Sequence, residues 1–242
     1  MQSIDEGKKF WKSQKLLVIS PHPDDEVFGC GATMAKAKAL GAEVYLMIVS
    51  VGNLKFYEKK QHVTSQTRVH EVERVAKFLK LDGYEIVYED EYKHLRLDAI
   101  PRRDLIAKIE RDSSVALEKI KPTIVAIPAP SYNQDHEAVY NACFTALRIH
   151  AGGHKHTSDI VLVYDSPTLC WNHPGKEFHP NFYVDVTKYQ MAKRKLVEIY
   201  QSQKRDPKDP CSLKNVEELL RIRGRDVGRE ACEAYMLYRQ VV

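Results

Sequence analysis

The sequence predicts an α/β fold: one Rossmann-like, three-layer domain with a mostly parallel sheet covered by helices on both faces. Two observations predict this class. Short apolar, β-branched segments alternate with longer segments of helical period, and the apolar segments are typical of strands buried on both sides. The chain of 242 residues is long enough for one large domain, and no repeat or linker divides it. We therefore expect residues 1–242 to form a single domain.

The strands and helices follow from these patterns in chain order. The predicted strands are six apolar segments, residues 15–20, 43–50, 84–88, 123–129, 159–165 and 182–187. Among them lie four segments of helical period, residues 28–40, 63–80, 101–121 and 135–150. The second of these carries one apolar stripe, formed by Val69, Val72, Val75, Ala76 and Leu79. Residues from about 188 to 240 are predicted to form C-terminal helices packed on the domain, with a break at the prolines of RDPKDP (205–210).

Composition and charge exclude several classes of protein. The net charge of +4 includes 37 basic residues spread along the chain, without the dense basic stripe of a nucleic-acid-binding protein. The N-terminal segment lacks the apolar core of a signal peptide, and no apolar run is long enough to cross a membrane. The five cysteines are scattered and form no CxxC pair, so neither disulfides nor a thiolate zinc site is expected. We expect a cytoplasmic protein with a small-molecule partner and no nucleic-acid or membrane partner; the sequence leaves open whether it is a homo-oligomer.

Polar segments follow three of the predicted strands. ISPHPDDE (19–26) lies at the end of the first strand, VSVGN (49–53) at the end of the second and PAPSYNQDH (128–136) at the end of the fourth. In an open parallel sheet, ligands bind beyond the carboxyl ends of the strands. The predicted fold therefore brings these three segments to one edge of the sheet, where we expect a functional site.

Two of these segments supply a candidate set of metal ligands. His22 and Asp25 lie three residues apart in a turn stiffened by Pro21 and Pro23, and His136 stands at the start of a predicted helix. Two imidazoles and one carboxylate, with a coordination position left open, are the ligands of a catalytic zinc ion (Zn2+), and ferrous iron (Fe2+) suits the same set. Such an ion lowers the pKa of bound water toward ~7 and polarises a carbonyl group.

The carboxylates beside this set have candidate roles of their own. Asp24 would lie near the ion without binding it and could take a proton from water as a general base. Asp135 precedes His136 and would either orient a ligand or cap a helix. Glu26 is assigned to the start of the helix or to supporting the ligands. The competing interpretation is that PHPDDE is a solvated turn with a helix N-cap and that His136 is unrelated to it.

Longer stretches of the chain carry a resemblance to a known family. They are PHPDDEVFGCGATMAKAKALGAEVYLMIVSVGN (21–53), TRVHEVERVAKFL (67–79), NQDHEAVYNA (133–142) and RIRGRDVGREACEAY (221–235). In this order they resemble the LmbE-like, or PIG-L, zinc-dependent N-deacetylases. That family removes acetyl groups from N-acetylglucosamine units of conjugates and from related amino-sugar compounds. The resemblance implies a zinc-dependent hydrolase that acts on an N-acetyl amino-sugar substrate and releases acetate and a free amine.

The resemblance also implies roles for individual residues. His22, Asp25 and His136 match the zinc ligands of the family, and Asp24 matches its general base. Arg68 matches an arginine associated with the substrate end of the pocket. In the reaction that this implies, Asp24 deprotonates the water that attacks the acetyl carbonyl.

One position departs from the family pattern. Well-known members carry a histidine three residues before the third ligand, assigned to stabilising the oxyanion or protonating the leaving amine, whereas this chain has Asn133. An amide can donate a hydrogen bond to an oxyanion but cannot deliver a proton near neutral pH. The acid is therefore another group, with Tyr132 and His173 as candidates, or else Asp24 carries the proton from water to nitrogen. Asn133 is the catalytic candidate for holding the oxyanion together with the ion, with Tyr132 as the alternative, and Tyr132 is also a candidate for binding the substrate.

Two other functions stay open at this stage. The first is a metal-dependent amidase acting on a different conjugate, such as a thiol conjugate. The second is a non-catalytic, Rossmann-like nucleotide-binding module, which is disfavoured because no GxGxxG follows the first strand and the acidic turn repels phosphates. HAGGHKH (150–156) has the composition of a metal-binding tract, but its glycines and lysine are more typical of an exposed loop, so we expect no ion there.

Overall fold

A seven-stranded sheet runs through the computed structural model, which describes residues 9–56, 61–149, 153–172 and 175–242. The strands are β1 (Lys15–Ser20), β2 (Glu43–Val51), β3 (Leu54–Phe56), β4 (Gln61–Val63), β5 (Gly83–Glu89), β6 (Ile124–Pro128), β7 (Ile160–Tyr164), β8 (Phe182–Asp185) and β9 (Cys232–Gln240). The short strands β3 and β4 pair with each other in an antiparallel hairpin. The other strands make the sheet in the order β5-β2-β1-β6-β7-β9-β8.

Helices cover both faces of this sheet. They are α1 (Asp25–Ala39), α2 (Ser65–Leu79), α3 (Arg102–Ala107), α4 (Leu117–Ile120), α5 (Gln134–Ala146), α6 (Gln190–Ile199) and α7 (Leu213–Arg225). A π-helical turn, Lys108–Asp112, continues α3. Among the described residues, no helix combines the length and the apolar character needed to cross a membrane.

Most of the strands are parallel. β1 pairs in parallel with β2 and β6, β2 with β5, and β6 with β7, whereas β9 is antiparallel to both of its neighbours, β7 and β8. Together with the helices on both faces, this pairing confirms the predicted three-layer α/β class with a mostly parallel sheet.

The order of the strands creates a crevice between β1 and β6. From β1 the chain adds β2 and β5 on one side of the sheet, and it then returns to add β6 and β7 on the other side. The loops that follow β1 and β6 therefore lead away from each other and leave a crevice between them. Open α/β sheets bind ligands in such a crevice. These loops are residues 21–24 and 129–133, and both belong to the segments predicted to form the site.

Alternate residues of the central strand face two separate cores. Leu16 and Val18 of β1 pack into one core with α1, α2, α6 and α7, while Leu17 and Ile19 pack into the opposite core with α3 and α5. All four side chains are exposed by 1% or less. Because both faces are covered, β1 needs apolar side chains at these four consecutive positions, and this is why they lack polar alternation.

Helix α2 forms as its apolar stripe predicts. The five stripe residues are all buried, and Thr64 caps the helix by accepting a hydrogen bond from the backbone N–H of Thr67 at 3.2 Å. The helix spans Ser65–Leu79, close to the predicted range of 63–80. It places Arg68 in its first turn, where the side chain points toward the carboxyl end of the sheet and contacts Pro23.

The prediction of helices over 188–240 is wrong beyond Arg225. Helices α6 and α7 form as expected, but Cys232–Gln240 is strand β9, inserted between β7 and β8. The first half of β9, Cys232–Tyr235, pairs with β8, and the second half, Tyr235–Gln240, pairs with β7. Tyr235, where the two pairings meet, is fully buried. Pairing with two strands distant in sequence therefore overrides the local pattern, because strand formation depends on its neighbours.

The helix predicted over 101–121 is also interrupted. After the π-helical turn, the hydroxyl of Ser113 donates to Glu85 Oε2 at 3.0 Å, and the backbone N–H of Ser114 donates to the same oxygen. Serines compete with helical hydrogen bonding in this way. The chain resumes a helical conformation only in the four residues of α4.

Candidate active site

The three predicted metal ligands converge at the crevice between β1 and β6. His22 lies in the turn after β1, Asp25 is the first residue of α1, and His136 lies in the first turn of α5. Asp25 Oδ2 is 3.5 Å from His22 Nδ1 and 3.2 Å from His136 Nε2. One ligand atom from each residue lies within 4.8 Å of the others, and the described residues contain no second group of this kind.

The chemistry of this group fits a divalent cation. Two imidazole nitrogens and one carboxylate oxygen are the ligands of catalytic zinc sites. Burial raises the pKa of Asp25, but His136 and His22 outweigh this effect and hold the pKa well below its usual range, so the carboxylate is ionised. All three residues line a cavity, which leaves room for water or substrate beside a bound ion.

Asp135 holds His22 from the side away from Asp25. His22 Nε2 lies 2.8 Å from Asp135 Oδ2, and the other oxygen of Asp135 accepts the backbone N–H of Leu97 at 2.9 Å. Since a carboxylate only accepts, Nε2 carries a proton, and Nδ1 faces Asp25. Burial lowers the pKa of His22, but its hydrogen bonds to Asp135 and Asp25 outweigh this effect and raise the pKa to about 9. Of the two roles considered for Asp135, the structure favours orienting the ligand, because Asn133 occupies the N-cap of α5.

Asp24 lies beside this group in a strained conformation. Its φ of 104° is rare for a residue with a side chain, and the side chain is only 8% exposed. Asp24 occupies the N-cap position of α1, yet its side chain makes no capping hydrogen bond. Burial and the charge of Asp25 raise the pKa of Asp24 to about 7, against the opposing charges of Arg68, Arg205 and His22. The interpretation as a solvated, capped turn therefore does not describe this segment.

Glu26 supports the backbone of Asp24. Its Oε2 accepts the backbone N–H of Asp24 at 3.0 Å, and its Oε1 accepts the hydroxyl of Tyr200. Glu26 is fully buried, and Tyr200 comes from the segment after α6. These two hydrogen bonds hold the turn in the conformation that aims Asp24 and Asp25 at the same cavity.

Arg68 is anchored by hydrogen bonds within the protein. Its Nη2 donates to the carbonyl of Pro23 at 3.2 Å, and its Nη1 lies 2.9 Å from His94 Nε2 and donates to the carbonyl of Gly52. Arg68 is 2% exposed, and its Nε is a buried donor without a hydrogen-bond partner among the described residues. The guanidinium therefore fixes the loop before Asp24 and places a positive charge near that carboxylate.

His94 belongs to the site although sequence reasoning missed it. Its ring packs edge-on against His22, with 5.2 Å between ring centroids, and its Nδ1 lies 3.1 Å from Ser50 Oγ. Burial and the charges of His22 and Arg68 lower the pKa of His94 to about 3, so the ring is neutral. A Cβ at Gly52 would lie 2.6 Å from His94 Cβ, which requires glycine at that position. In the sequence, the only indication of this role for His94 is that it follows β5, a strand that ends at the same edge of the sheet as the site.

Asn133 and Tyr132 stand at the mouth of the cavity. Asn133 Oδ1 accepts the backbone N–H of Asp135 at 2.9 Å, so the amide oxygen is the capping atom and the NH2 group points elsewhere. Tyr132 is 52% exposed and lines the same cavity. His173, the other candidate for the acid, lies outside the described residues.

A cavity of about 210 Å³ connects these residues. The predicted site residues that line it are His22, Asp24, Asp25, Arg68, Tyr132, Asn133 and His136, whereas Asp135 lies behind His22. Gln203, Arg205 and Cys211 also line it, and all three belong to the segment around RDPKDP. The prolines of this segment signalled a break between helices, but nothing in their spacing indicated that the chain returns to the active site.

His154 and His156 of HAGGHKH take no part in this site. Residues 150–152 lie outside the described residues, and His154 is exposed. The ring of His156 lies 2.7 Å from the carbonyl of Pro122, which ties the loop to the end of the sheet opposite the site.

Comparison with known proteins finds a family model that matches the part of the chain carrying this site. The family model described as "PIG-L: GlcNAc-PI de-N-acetylase" matches residues 17–147, more than half of the chain. The matched range begins within β1 and ends after α5, so it includes His22, Asp25 and His136.

Individual relatives share the fold at low sequence identity. A diacetylchitobiose deacetylase of Thermococcus kodakarensis is 22% identical over 196 residues, which cover 78% of this chain and 70% of that protein. The crystal structure of the conserved protein TT1542 of Thermus thermophilus has a TM-score of 0.73 at 24% identity, covering 95% of this chain and 96% of the other. The 4-carboxy-2-hydroxymuconate hydratase GalB of Pseudomonas putida also has a TM-score of 0.73, at 17% identity, covering 95% and 98%.

Proposed function

The chain belongs to the PIG-L family of GlcNAc-PI de-N-acetylases, and we propose that it is a metal-dependent hydrolase removing the N-acetyl group of an amino sugar or sugar conjugate. The products are acetate and the free amine. The observation that carries the proposal is the convergence of His22, Asp25 and His136 beside the buried carboxylate of Asp24. The deacetylase of Thermococcus kodakarensis, a relative covering most of the chain, supports the same reaction.

The proposed cofactor is a zinc ion, with ferrous iron as the alternative. Bound by His22, Asp25 and His136, such an ion would supply the Lewis acidity that activates water and polarises the acetyl carbonyl. Asp135 would keep a proton of His22 on Nε2, so that Nδ1, once deprotonated, would offer its lone pair to the ion. The open side of the three ligands faces the cavity of about 210 Å³, where the acetamide would sit.

Asp24 is the proposed general base. It is buried beside the ligands, and it is not itself one of the three converging groups. Burial raises the pKa of Asp24 to about 7, and a cation bound to Asp25 would lower it again, so the carboxylate accepts a proton near neutral pH. Because Asn133 cannot donate a proton, Asp24 is also the group we assign to protonating the leaving nitrogen.

We assign Asn133 and Tyr132, at the mouth of the cavity, to contacts with the reacting substrate. The Asn133 NH2 group would donate a hydrogen bond to the developing oxyanion, since its oxygen is occupied as a helix cap. Tyr132 would contact the sugar from the exposed side of the cavity. Arg68 would shape the part of the cavity that receives the substrate through its neighbours. Its Nη1 and Nη2 groups are hydrogen-bonded to Gly52, His94 and Pro23.

The fold by itself does not determine the reaction. GalB, which is named as a hydratase, is as similar in structure as TT1542. The match to the de-N-acetylase family is what favours amide hydrolysis here. The same residues could also hydrolyse the amide of a different conjugate, such as a thiol conjugate. The test therefore includes such compounds.

The test measures acetate release and metal content on the same preparation. Purified protein is analysed for divalent ions and then assayed against N-acetyl sugars, nucleotide sugars and N-acyl thiol conjugates. We expect about one tightly held ion per chain and acetate release from at least one N-acetyl sugar, abolished by a chelator and restored by zinc or ferrous iron. Absence of a bound ion together with mononucleotide binding would favour the non-catalytic module instead.

A further inference from the structure

The chain between α6 and α7 forms one wall of the catalytic cavity. We call residues 200–212 the α6–α7 connection. Three of them, Gln203, Arg205 and Cys211, line the cavity together with the proposed metal ligands. The connection has a 3₁₀-helical turn at Gln201–Gln203, and residues 204–212 contain neither helix nor strand. The position of this wall therefore depends on contacts with neighbouring elements.

Glu71 of α2 makes one such contact. Its Oε1 accepts the backbone N–H of Ser202 at 2.8 Å, and its Oε2 accepts the hydroxyl of Ser202 at 2.5 Å. Glu71 is 4% exposed, and a buried carboxyl group is costly unless it is hydrogen-bonded. Since both oxygens bind the same residue, Glu71 fixes the distance and the orientation of the turn at Ser202.

Ser202 connects this contact to the cavity wall. Its hydroxyl donates to Glu71 and accepts from Gln203 Nε2 at 3.1 Å. Gln203 Oε1 in turn accepts from Arg205 Nη2 at 3.2 Å, and Gln203 is only 4% exposed. A continuous series of hydrogen bonds therefore runs from α2 to two residues that line the cavity.

Helix α2 also holds another part of the site. Arg68 lies three residues before Glu71, and residues at this spacing lie on the same side of a helix. Arg68 is hydrogen-bonded to Pro23, in the turn between His22 and Asp24, whereas Glu71 is hydrogen-bonded to the α6–α7 connection. Two parts of the cavity lining are therefore fixed to one helix.

We propose that Glu71 is a positioning residue, which fixes the α6–α7 connection as a wall of the catalytic cavity and so sets the affinity for the substrate. Glu71 is not among the residues that line the cavity, so it acts through Ser202 and Gln203. The effect on affinity rests on the proposed deacetylase function. The effect on the position of the connection does not, and it is tested without a substrate.

Cys211 reports the position of the connection. It is partly buried at the cavity, so its alkylation by iodoacetamide, followed by peptide mass spectrometry, becomes faster when the connection detaches. Glu71→Met keeps an unbranched side chain but replaces the two acceptor oxygens by one weak acceptor. We expect alkylation of Cys211 to be about tenfold faster in Glu71→Met. Glu73→Met, at an exposed position of the same helix, is the matched control and should leave the rate unchanged.

Cys143 separates local detachment from global unfolding. It is fully buried in the core that does not contain α2, and we expect its alkylation to stay slow in every variant. Glu71→Gln keeps one acceptor oxygen and should give a Cys211 rate between those of the unmodified protein and Glu71→Met. An unchanged Cys211 rate in Glu71→Met, or equal acceleration at Cys143 and Cys211, would overturn the proposal.

The kinetic measurement uses the N-acetyl sugar that is hydrolysed fastest, with zinc in excess. We expect Glu71→Met to raise KM about fivefold or more and to change kcat by less than about twofold, because Glu71 acts on the cavity wall rather than on the ligands or Asp24. Metal content should stay unchanged. A lower kcat at unchanged KM would contradict the assignment.

Ser202→Ala tests whether the effect passes through this contact. The charge of Glu71 also acts on Arg68, and Ser202→Ala leaves that charge in place. We expect KM to rise about threefold in Ser202→Ala. The double variant should have the KM of Glu71→Met, since the hydroxyl of Ser202 acts through Glu71. An unchanged KM in Ser202→Ala would assign the effect of Glu71 to Arg68 and overturn the proposal.

The two measurements also separate this proposal from the proposed function. Faster alkylation of Cys211 without acetate release from any substrate would support the positioning role and remove the deacetylase. Acetate release with KM and alkylation both unchanged in Glu71→Met would leave the deacetylase and remove the positioning role.

Discussion

His22 and Asp135 are joined by a hydrogen bond of 2.8 Å between Nε2 and Oδ2, across 113 positions of sequence. The bond holds a proton on Nε2 of His22 and turns Nδ1 toward Asp25. Asp135 is itself held by the backbone N–H of Leu97. The orientation of one proposed ligand therefore depends on a buried carboxylate from the other side of the crevice.

Replacing this carboxylate should weaken metal binding. In Asp135→Asn, the amide cannot accept from both His22 and Leu97, so the ring of His22 loses its fixed orientation. We expect zinc affinity, measured by competition with a chromophoric chelator, to fall by about 10- to 100-fold. Glu137→Gln, two residues further along α5 and paired with Lys176 at the surface, is the matched control and should bind zinc normally. Unchanged affinity in Asp135→Asn would remove the orienting role.

Asp24→Asn should separate metal binding from catalysis. The amide cannot accept a proton from water, while the three converging ligands stay in place. We expect normal metal content and a loss of about 10²- to 10⁴-fold in kcat. His136→Ala, measured in parallel, should lose both metal and activity. A rate for Asp24→Asn equal to that of the unmodified protein would rule out Asp24 as the general base.

Tyr200→Phe tests the support behind Asp24. The substitution removes the hydroxyl that donates to Glu26, which leaves a buried carboxyl group with one partner fewer. We expect a loss of about 1–3 kcal/mol in the free energy of unfolding, measured by urea denaturation, together with a lower kcat. Tyr140→Phe removes a comparable hydroxyl contact, with Tyr238, on the protein surface and should have little effect on either quantity. Similar losses of unfolding free energy and kcat in the two variants would show that the hydrogen bond from Tyr200 to Glu26 matters no more than a surface contact.

The buried ion pair of Lys193 and Glu233 should show strong coupling. Both side chains are almost fully buried, and Glu233 also accepts the backbone N–H groups of Ala32 and Thr33 within α1. Removing one charge leaves the other unpaired, so Lys193→Met or Glu233→Gln alone should cost about 3–5 kcal/mol of unfolding free energy. The double variant should be more stable than the sum of the two losses predicts, as a double-mutant cycle by chemical denaturation would measure. Strict additivity would show that the two charges do not interact.

Much of the fold could be predicted because its signals are local. The apolar runs of β1, β2, β6 and β7 are buried on both faces, so each strand is recognisable without its partners. β9 was not recognisable in this way, since its residues become a strand through pairing with β7 and β8. The same reasoning applies to 101–121, where contacts of Ser113 and Ser114 with a distant glutamate interrupt the helix.

The ligands and base could be proposed without coordinates, because His22, Asp24 and Asp25 are neighbours in one turn and His136 follows a predicted strand that ends at the same edge of the sheet. The residues that surround them could not. His94, Arg205 and Tyr200 are single polar residues in segments without a motif, and their roles arise from side-chain contacts across the fold. Residue spacing specifies local backbone geometry, whereas the hydrogen bonds and cavity walls of a site depend on how distant elements pack together.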